Sequence, residues 1–165
     1  VAQVRREEGI DPLLVVRGFH DQVIEELLLS SGHVLVDVGA SNMQAMKAAI
    51  GIADRIIVPV PPSQPDVWAT QRFLNIVDEV TNDKVPELIA FVNRADTHRA
   101  VRESDETEEA LNMLGKLNVL PHRLCQRTSF RRSLSEGLSI LELSPTSKGA
   151  KEFELFAHAL HPELT

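Results

Sequence analysis

The sequence has one cysteine, one tryptophan and no tyrosine among its 165 residues. With Cys125 alone, no disulfide can form within the chain, which is typical of proteins in a reducing compartment. No apolar run approaches the roughly 18 to 20 residues that a membrane-spanning helix requires. The first nine residues are charged and lack the apolar core of a signal peptide. We therefore expect a cytoplasmic protein that is not held in a membrane.

Several motifs that mark common catalytic and metal sites are also missing. The six histidines are scattered, without H-x-x-x-H or C-x-x-C spacing, which argues against a structural metal site. No G-x-S-x-G motif surrounds a serine, so a hydrolase of that type has no support. No G-x-x-x-x-G-K-[ST] loop occurs in these residues, although that loop is the usual cradle for nucleotide phosphates.

What the sequence does contain is the composition of a globular domain. Hydrophobic residues make up 43% and charged residues 25%, and 165 residues are enough to bury a core. We expect one domain over residues 1–165, because no linker-like stretch divides them. The net charge of −7 argues against a surface devoted to nucleic acid, but it leaves room for a local basic patch.

Short apolar runs alternate with segments of helical periodicity along the chain. Such an order is typical of βαβ units and therefore of a parallel sheet. We predict an α/β fold with a mostly parallel sheet of four or five strands, flanked by helices. The predicted strands cover residues 13–16, 34–37, 55–60, 88–92 and 119–124, the last one broken by Pro121. The predicted helices cover residues 21–29, 43–50, 67–80, 102–114, 130–135 and 148–160.

The segment around Asp37 is the most informative one. The apolar residues 34–36 predict a buried strand that ends at this carboxylate, and small residues including Gly39 follow. In open α/β sheets, ligands bind at the carboxyl ends of the strands. Asp37 at such an end is a candidate for holding Mg²⁺, directly or through water. The alternative is an acid that caps a helix or faces solvent, with Gly39 as a turn glycine.

A second polar group follows the predicted strand at residues 88–92. Asn93, Arg94 and Asp96 would then lie where a nucleotide base or ribose could bind, with the planar guanidinium of Arg94 stacked on the base. The alternative is a polar turn in which Asp96 caps the next helix.

The stretch from residue 121 to residue 151 is basic within an acidic protein. It carries six basic residues against Glu136 and Glu142, a local surplus of four. Such a cluster could neutralise DNA phosphates without reading sequence, or it could pair with the many acids of the domain. The basic residues are Arg123, Arg127, Arg131, Arg132, Lys148 and Lys151.

Four segments together resemble the ParA-type partition ATPases of the deviant Walker P-loop group. They are residues 33–41, the proline-rich 53–66, residues 91–96, and residues 127–142, in the order and at the spacing of that family. The resemblance covers about residues 13–160. It implies a P-loop NTPase-like fold and a function in plasmid or chromosome partition, which is DNA segregation driven by ATP.

The resemblance also implies ligands and partners. Family members use ATP and Mg²⁺, form homodimers, bind DNA non-specifically and respond to a ParB-like partner protein. By this resemblance, the Walker B-like side of the nucleotide site, which holds Mg²⁺ and the γ-phosphate, would contain Asp37 and Gly39. The loop that contacts adenine would contain Asn93, Arg94 and Asp96. Arg127, Arg131, Arg132 and Lys148 would be the DNA-binding candidates, and Arg127 lies at the matching position.

The family's first strand and its glycine-lysine loop have no counterpart in these residues. We therefore expect an N-terminally truncated family member that does not hydrolyse ATP by itself. The alternative is a P-loop-less, non-catalytic interaction module of the same fold. Micromolar binding of ATP to the isolated chain would argue against that alternative.

Overall fold

The protein is represented by a computed structural model that describes residues 2–11, 15, 18, 21–29, 32–39, 41–81, 85–98 and 101–162. Helices and strands alternate from residue 43 to residue 119, and further helices lie before and after this part of the chain. The elements are α1 (Ala2–Glu7), α2 (Asp21–Leu28), α3 (Met43–Ile52), β1 (Arg55–Val60), α4 (Gln64–Val80), β2 (Glu87–Ala95), α5 (Glu103–Met113), β3 (Asn118–Val119), β4 (Leu124–Cys125), α6 (Thr128–Ser135), α7 (Ile140–Leu143) and α8 (Lys148–Leu160).

The sheet is organised around β2. Strand β1 lies parallel to β2 over its whole length, in a register that runs from Arg55 opposite Glu87 to Val60 opposite Val92. Strands β3 and β4 also lie parallel to β2. Every strand pairing in the described part of the chain is therefore parallel, which confirms the prediction of an α/β fold with a mostly parallel sheet.

Strand β2 is buried on both faces, as expected for a central strand of a parallel sheet. On one face, Ile89 and Phe91 pack against Phe156 and Leu160 of α8. The rings of Phe91 and Phe156 have centroids 4.5 Å apart.

The alternate residues of β2 face the opposite layer of helices, because successive strand side chains point to opposite sides. Leu88 packs with residues of α3 and α4, and Ala90 packs with Leu111 of α5. The sheet thus lies between α8 on one side and α3, α4 and α5 on the other.

Local signals explain where the elements begin and end. Asn42 caps α3 by accepting a hydrogen bond from the Ala45 N–H at 3.1 Å. Ser63 caps α4 in the same way, so this helix begins earlier than the predicted residue 67. Pro121 separates β3 from β4, as its missing N–H predicts.

The prediction of a buried strand at residues 34–37 is wrong. Residues 33–39 have no regular secondary structure, and the exposed fractions are 40% for Val34, 86% for Leu35 and 41% for Val36. The physical reason is pairing: within the described residues no strand lies beside this segment, and β-branched side chains favour a strand only when they pack on a neighbour.

Two other differences concern strand limits. Strand β2 continues to Ala95, so Asn93 and Arg94 belong to the strand and not to a loop after it. The predicted strand at residues 13–16 falls largely outside the described residues. Among the helices of the described ranges, none has the length and apolarity needed to cross a bilayer.

Candidate functional site

The carboxyl ends of β2 and β4 open into a surface cavity of about 400 Å³. Ligands of open α/β sheets bind at this edge. The lining comes from the residues that follow β2 and β4, from the start of α6 and from the start of α8. The lining residues are Thr97, Gln126, Arg127, Thr128, Ser129, Ser147, Lys148 and Gly149.

The N-termini of two helices meet at this cavity. Helix α8 begins after Ser147, whose hydroxyl oxygen accepts a hydrogen bond from the Ala150 N–H at 3.1 Å. Helix α6 begins after Arg127, which has extended backbone dihedrals and no side-chain cap. Unpaired N–H groups and the helix dipole make such N-termini favourable for anions. The cavity therefore combines two positive helix ends with serine and threonine hydroxyls.

Gly149 allows the two helix starts to approach each other. A Cβ atom at this position would lie 3.1 Å from the Ser129 Oγ and 3.3 Å from the Arg127 Cδ. Both distances are tighter than ordinary contacts, so a side chain at position 149 would require the Ser129 and Arg127 side chains to shift. The glycine thus lets the starts of α6 and α8 lie close together at the cavity.

Arg127 is fixed by an ion pair on the wall of the cavity. Its Nε donates to Glu152 Oε2 at 3.0 Å, and its Nη2 donates to Glu152 Oε1. Burial of Glu152 opposes ionisation, but hydrogen bonding and charge from Arg127 outweigh it and lower the pKa of this carboxyl. The same hydrogen bonding raises the pKa of Arg127. The pair therefore stays ionised and links the residues after β4 to α8.

Cys125 lies beside this ion pair. Its N–H donates to Glu152 Oε2 at 3.4 Å, and burial together with the Glu152 charge raises the pKa of the thiol. A raised pKa disfavours the thiolate, which is the nucleophilic form. The thiol therefore has the character of a packing residue.

The basic residues near the cavity divide into paired and unpaired ones. Besides Arg127, Arg123 pairs with Asp105 and Glu108, and Arg132 pairs with Glu136 at 2.8 Å. Within the described ranges, Arg131, Lys148 and Lys151 have no ion pair. The unpaired cations are the ones whose charge remains available to an anionic ligand.

The structure brings the predicted base loop to the same edge. Asp96 directly precedes Thr97 of the cavity lining, and its Oδ1 accepts a hydrogen bond from the His98 N–H at 2.7 Å. Helix α5 begins only at Glu103, so the alternative in which Asp96 caps the next helix is wrong.

Asn93 and Arg94 form an irregular end of β2. The register with β4 shifts between Asn93 and Ala95, and Arg94 has φ of +58°, which is uncommon for a residue with a side chain. The Arg94 N–H donates to Asn93 Oδ1 at 3.0 Å. This bulge ends the regular pairing of β2 just before Asp96.

Asp37 and Gly39 are not at the end of a strand. Both lie in the irregular segment 33–39, both are exposed, and neither lines the cavity. Among the described residues there is no cluster of three or more His, Cys, Asp or Glu side chains that could hold a metal ion. Mg²⁺ in nucleotide sites often needs only one or two carboxylates, but phosphate oxygens then supply further ligands. Asp37 alone does not make a metal site.

Sequence reasoning missed several lining residues. The missed residues have small polar side chains, and each follows a strand or lies at the start of a helix. They are Thr97, Thr128, Ser129 and Ser147. The pattern of a serine followed by Lys148 and Gly149 at a helix start could have indicated the site, because hydroxyl caps and positive helix ends recur at phosphate sites.

Comparison with known proteins gives one informative similarity. No protein-family model matches the chain. The chain is 25% identical, over 139 residues, to "Maintenance of carboxysome distribution protein A" of Halothiobacillus neapolitanus. The alignment covers 81% of this chain and 62% of that protein, so the chain spans less than two thirds of the relative's length. The similarity supports a relationship to ParA-like ATPases.

Proposed function

We propose that this chain is part of a ParA-like ATPase that distributes DNA or another cargo within the cytoplasm. The observation that carries the proposal is the cavity at the carboxyl edge of the sheet, where the Asp96 turn, Arg127 and Lys148 meet two helix N-termini. The motif resemblance and the relative named for carboxysome distribution support the same function. On this proposal the whole protein binds ATP with Mg²⁺, dimerises and responds to a ParB-like partner.

We assign the adenosine end of the nucleotide and its first phosphate to this cavity. The turn at Asp96 and Thr97 offers polar groups to the base and ribose, and Lys148 with the helix ends offers positive charge to a phosphate. The sequence includes no glycine-lysine loop, so contacts to the β- and γ-phosphates are not assigned to these residues. Asp37 stays a prediction for the magnesium side.

Calorimetric titration of the 165-residue protein with adenosine, AMP and ATP tests this assignment. We expect saturable binding of AMP and ATP, and Lys148→Ala should weaken AMP binding roughly tenfold, because a charged hydrogen bond contributes about 1.5–3 kcal/mol. Adenosine binding should change much less. Lys151→Ala is the matched control, since this lysine lies on the same helix and does not line the cavity.

The absence of saturable nucleotide binding by the folded protein would contradict the proposal. It would favour a second candidate function, a non-catalytic interaction module of the same fold. The observation that favours this module is the exposed apolar segment 34–36, because contiguous exposed apolar surface is typical of partner-binding sites.

A further inference from the structure

The N-terminal helix α1 is attached to the body of the protein through Arg5. This side chain is only 8% exposed. Its Nη1 donates to Glu142 Oε1 and Oε2 at 3.1 and 3.0 Å and to the Gly137 carbonyl at 3.2 Å. Its Nε donates to the Asp11 carbonyl at 2.6 Å. A carboxylate and two carbonyl oxygens thus surround one guanidinium group.

The surface that receives α1 is formed by the turn between α6 and α7. Helix α6 ends with two hydrogen bonds, from the Gly137 N–H to the Leu134 carbonyl at 3.2 Å and from the Leu138 N–H to the Ser133 carbonyl at 2.9 Å. This arrangement requires a residue with positive φ, and Gly137 has φ of +71°. The turn directs the Gly137 carbonyl towards Arg5.

Gly137 also provides the space for the residue before Arg5. A Cβ atom at position 137 would lie 2.9 Å from the Val4 Cγ1 and 3.2 Å from the Arg5 backbone nitrogen. No side chain other than hydrogen fits there without movement of α1. The turn is therefore complementary to a valine–arginine pair in both shape and hydrogen bonding.

Glu142 is held in place without help from α1. Its Oε2 accepts a hydrogen bond from the Ser139 N–H at 2.7 Å, and its own N–H donates to the Ser139 hydroxyl oxygen at 3.2 Å. This capping box fixes the carboxylate at the start of α7. Gly137 and Glu142 lie 132 and 137 residues from Arg5 in sequence, and the local bonds that position them do not involve α1.

We propose that the α6–α7 turn is a binding site for an arginine-bearing helical segment. In this structure α1 fills the site in cis, and a partner protein that presents an aliphatic residue followed by arginine fills it in exchange. The turn keeps its shape through its own hydrogen bonds, and α1 occupies it through Val4 and Arg5, so a second segment with the same two side chains can take the place of α1. The carboxylate of Glu142 selects a cationic partner, and the two-pronged shape of guanidinium favours arginine over lysine.

A labelled peptide with the sequence of residues 2–11 tests the site by fluorescence anisotropy. It should bind saturably to the full-chain variant Arg5→Ala, in which the site is vacant. Binding to the unmodified chain should be at least about tenfold weaker, because α1 in cis competes. Arg5→Ala combined with Glu142→Gln should also weaken binding about tenfold or more, the usual effect of removing a charged hydrogen-bond partner.

Two outcomes would overturn the proposal: no saturable binding to Arg5→Ala, or equal binding with and without Glu142. The peptide in which arginine at position 5 is replaced by alanine is the matched control and should not bind. If circular dichroism shows that Arg5→Ala is unfolded, the assay uses Arg5→Lys in its place. Lysine keeps the positive charge but lacks the planar set of N–H donors of guanidinium. The assay contains no nucleotide, so its failure is distinct from failure of the proposed function.

Discussion

Arg131 and Arg132 are neighbours on α6 with different electrostatic surroundings. Both are exposed, but Arg132 is neutralised by Glu136 one helical turn away, whereas Arg131 has no ion pair among the described residues. We expect Arg131→Ala to weaken binding to non-specific DNA. The slope of log affinity against log salt concentration should also become shallower by about one, because one counterion fewer is released on binding. Arg132→Ala should have the smaller effect. Binding to a fluorescent duplex at several salt concentrations measures both, and equal losses would contradict a direct phosphate contact by Arg131.

The sequence position of Arg127 indicates a contact with DNA, but in the structure this side chain forms an ion pair within the protein. Its guanidinium is occupied by Glu152, so removing it leaves a half-buried carboxylate without its partner. Loss of DNA retention in a variant with both Arg127→Ala and Arg131→Ala could therefore come from the fold. The single variant Arg131→Ala separates DNA contact from stability.

Glu142 makes stability depend on pH in a defined direction. Hydrogen bonds from Arg5 and Ser139 lower the pKa of this carboxyl to about 2. A lowered folded-state pKa adds stability above the unfolded value near 4.5, and that stability is lost as the pH falls towards 2. The free energy of unfolding should thus fall less steeply between about pH 5 and pH 2 in Glu142→Gln than in the unmodified chain. Urea titrations across this interval measure it, and parallel pH profiles would contradict the assignment.

At the scale of elements, the contact between α1 and the α6–α7 turn predicts how stability changes when one methyl group is added at Gly137. Gly137→Ala should lower the free energy of unfolding by about 1–3 kcal/mol, because alanine is strained at positive φ and also meets Val4. Gly115→Ala is the matched control: Gly115 has φ of +69°, and a methyl group added there would have no neighbouring atom within 4 Å. Chemical denaturation of both variants measures the difference, and an equal loss would show that α1 contributes nothing at this turn.

The elements that could be predicted are those whose signals are local. Strand β1 and helix α8 have the predicted limits because a proline-bounded apolar run and a serine cap define them. Residues 34–36 carry an equally apolar pattern, but a strand also needs a neighbour, and sequence does not say whether one is present. The four-residue helix α7 is too short for periodicity, although its Ser139–Glu142 capping box is a readable signal.

The candidate site could be predicted only in part, for a similar reason. Asp96, Arg127 and Lys148 meet at one edge because parallel strands and the helices after them align their ends there. The expected position of Asp37 depended on a strand that does not form in the described residues. The pairing of Arg127 with Glu152 joins residues 25 apart in sequence, and residue patterns carry no signal for it.

For the molecule as a whole, the segment 34–36 and the outer edge of β1 share one property. Neither has a strand beside it in the described part of the chain, and the segment exposes adjacent apolar side chains. Unpaired edges and exposed β-rich segments promote association between chains. We expect Leu35→Lys to reduce concentration-dependent light scattering without lowering the unfolding temperature. Leu29→Lys is the control, since Leu29 is equally exposed at the end of α2; an equal reduction would show that charge alone is responsible.

The pairing of β1, β3 and β4 with the same strand has a consequence for synthesis on the ribosome. The β1–β2 ribbon can form once residue 95 has left the exit tunnel, but one side of it stays uncovered until α8 emerges. Arg55 at the start of β1 donates to the Leu160 carbonyl at 2.8 Å, so the last turn of α8 is held against the first residue of β1. A nascent chain halted before α8 would therefore expose Ile89 and Phe91 to water, and exposed apolar surface of this kind favours aggregation during synthesis.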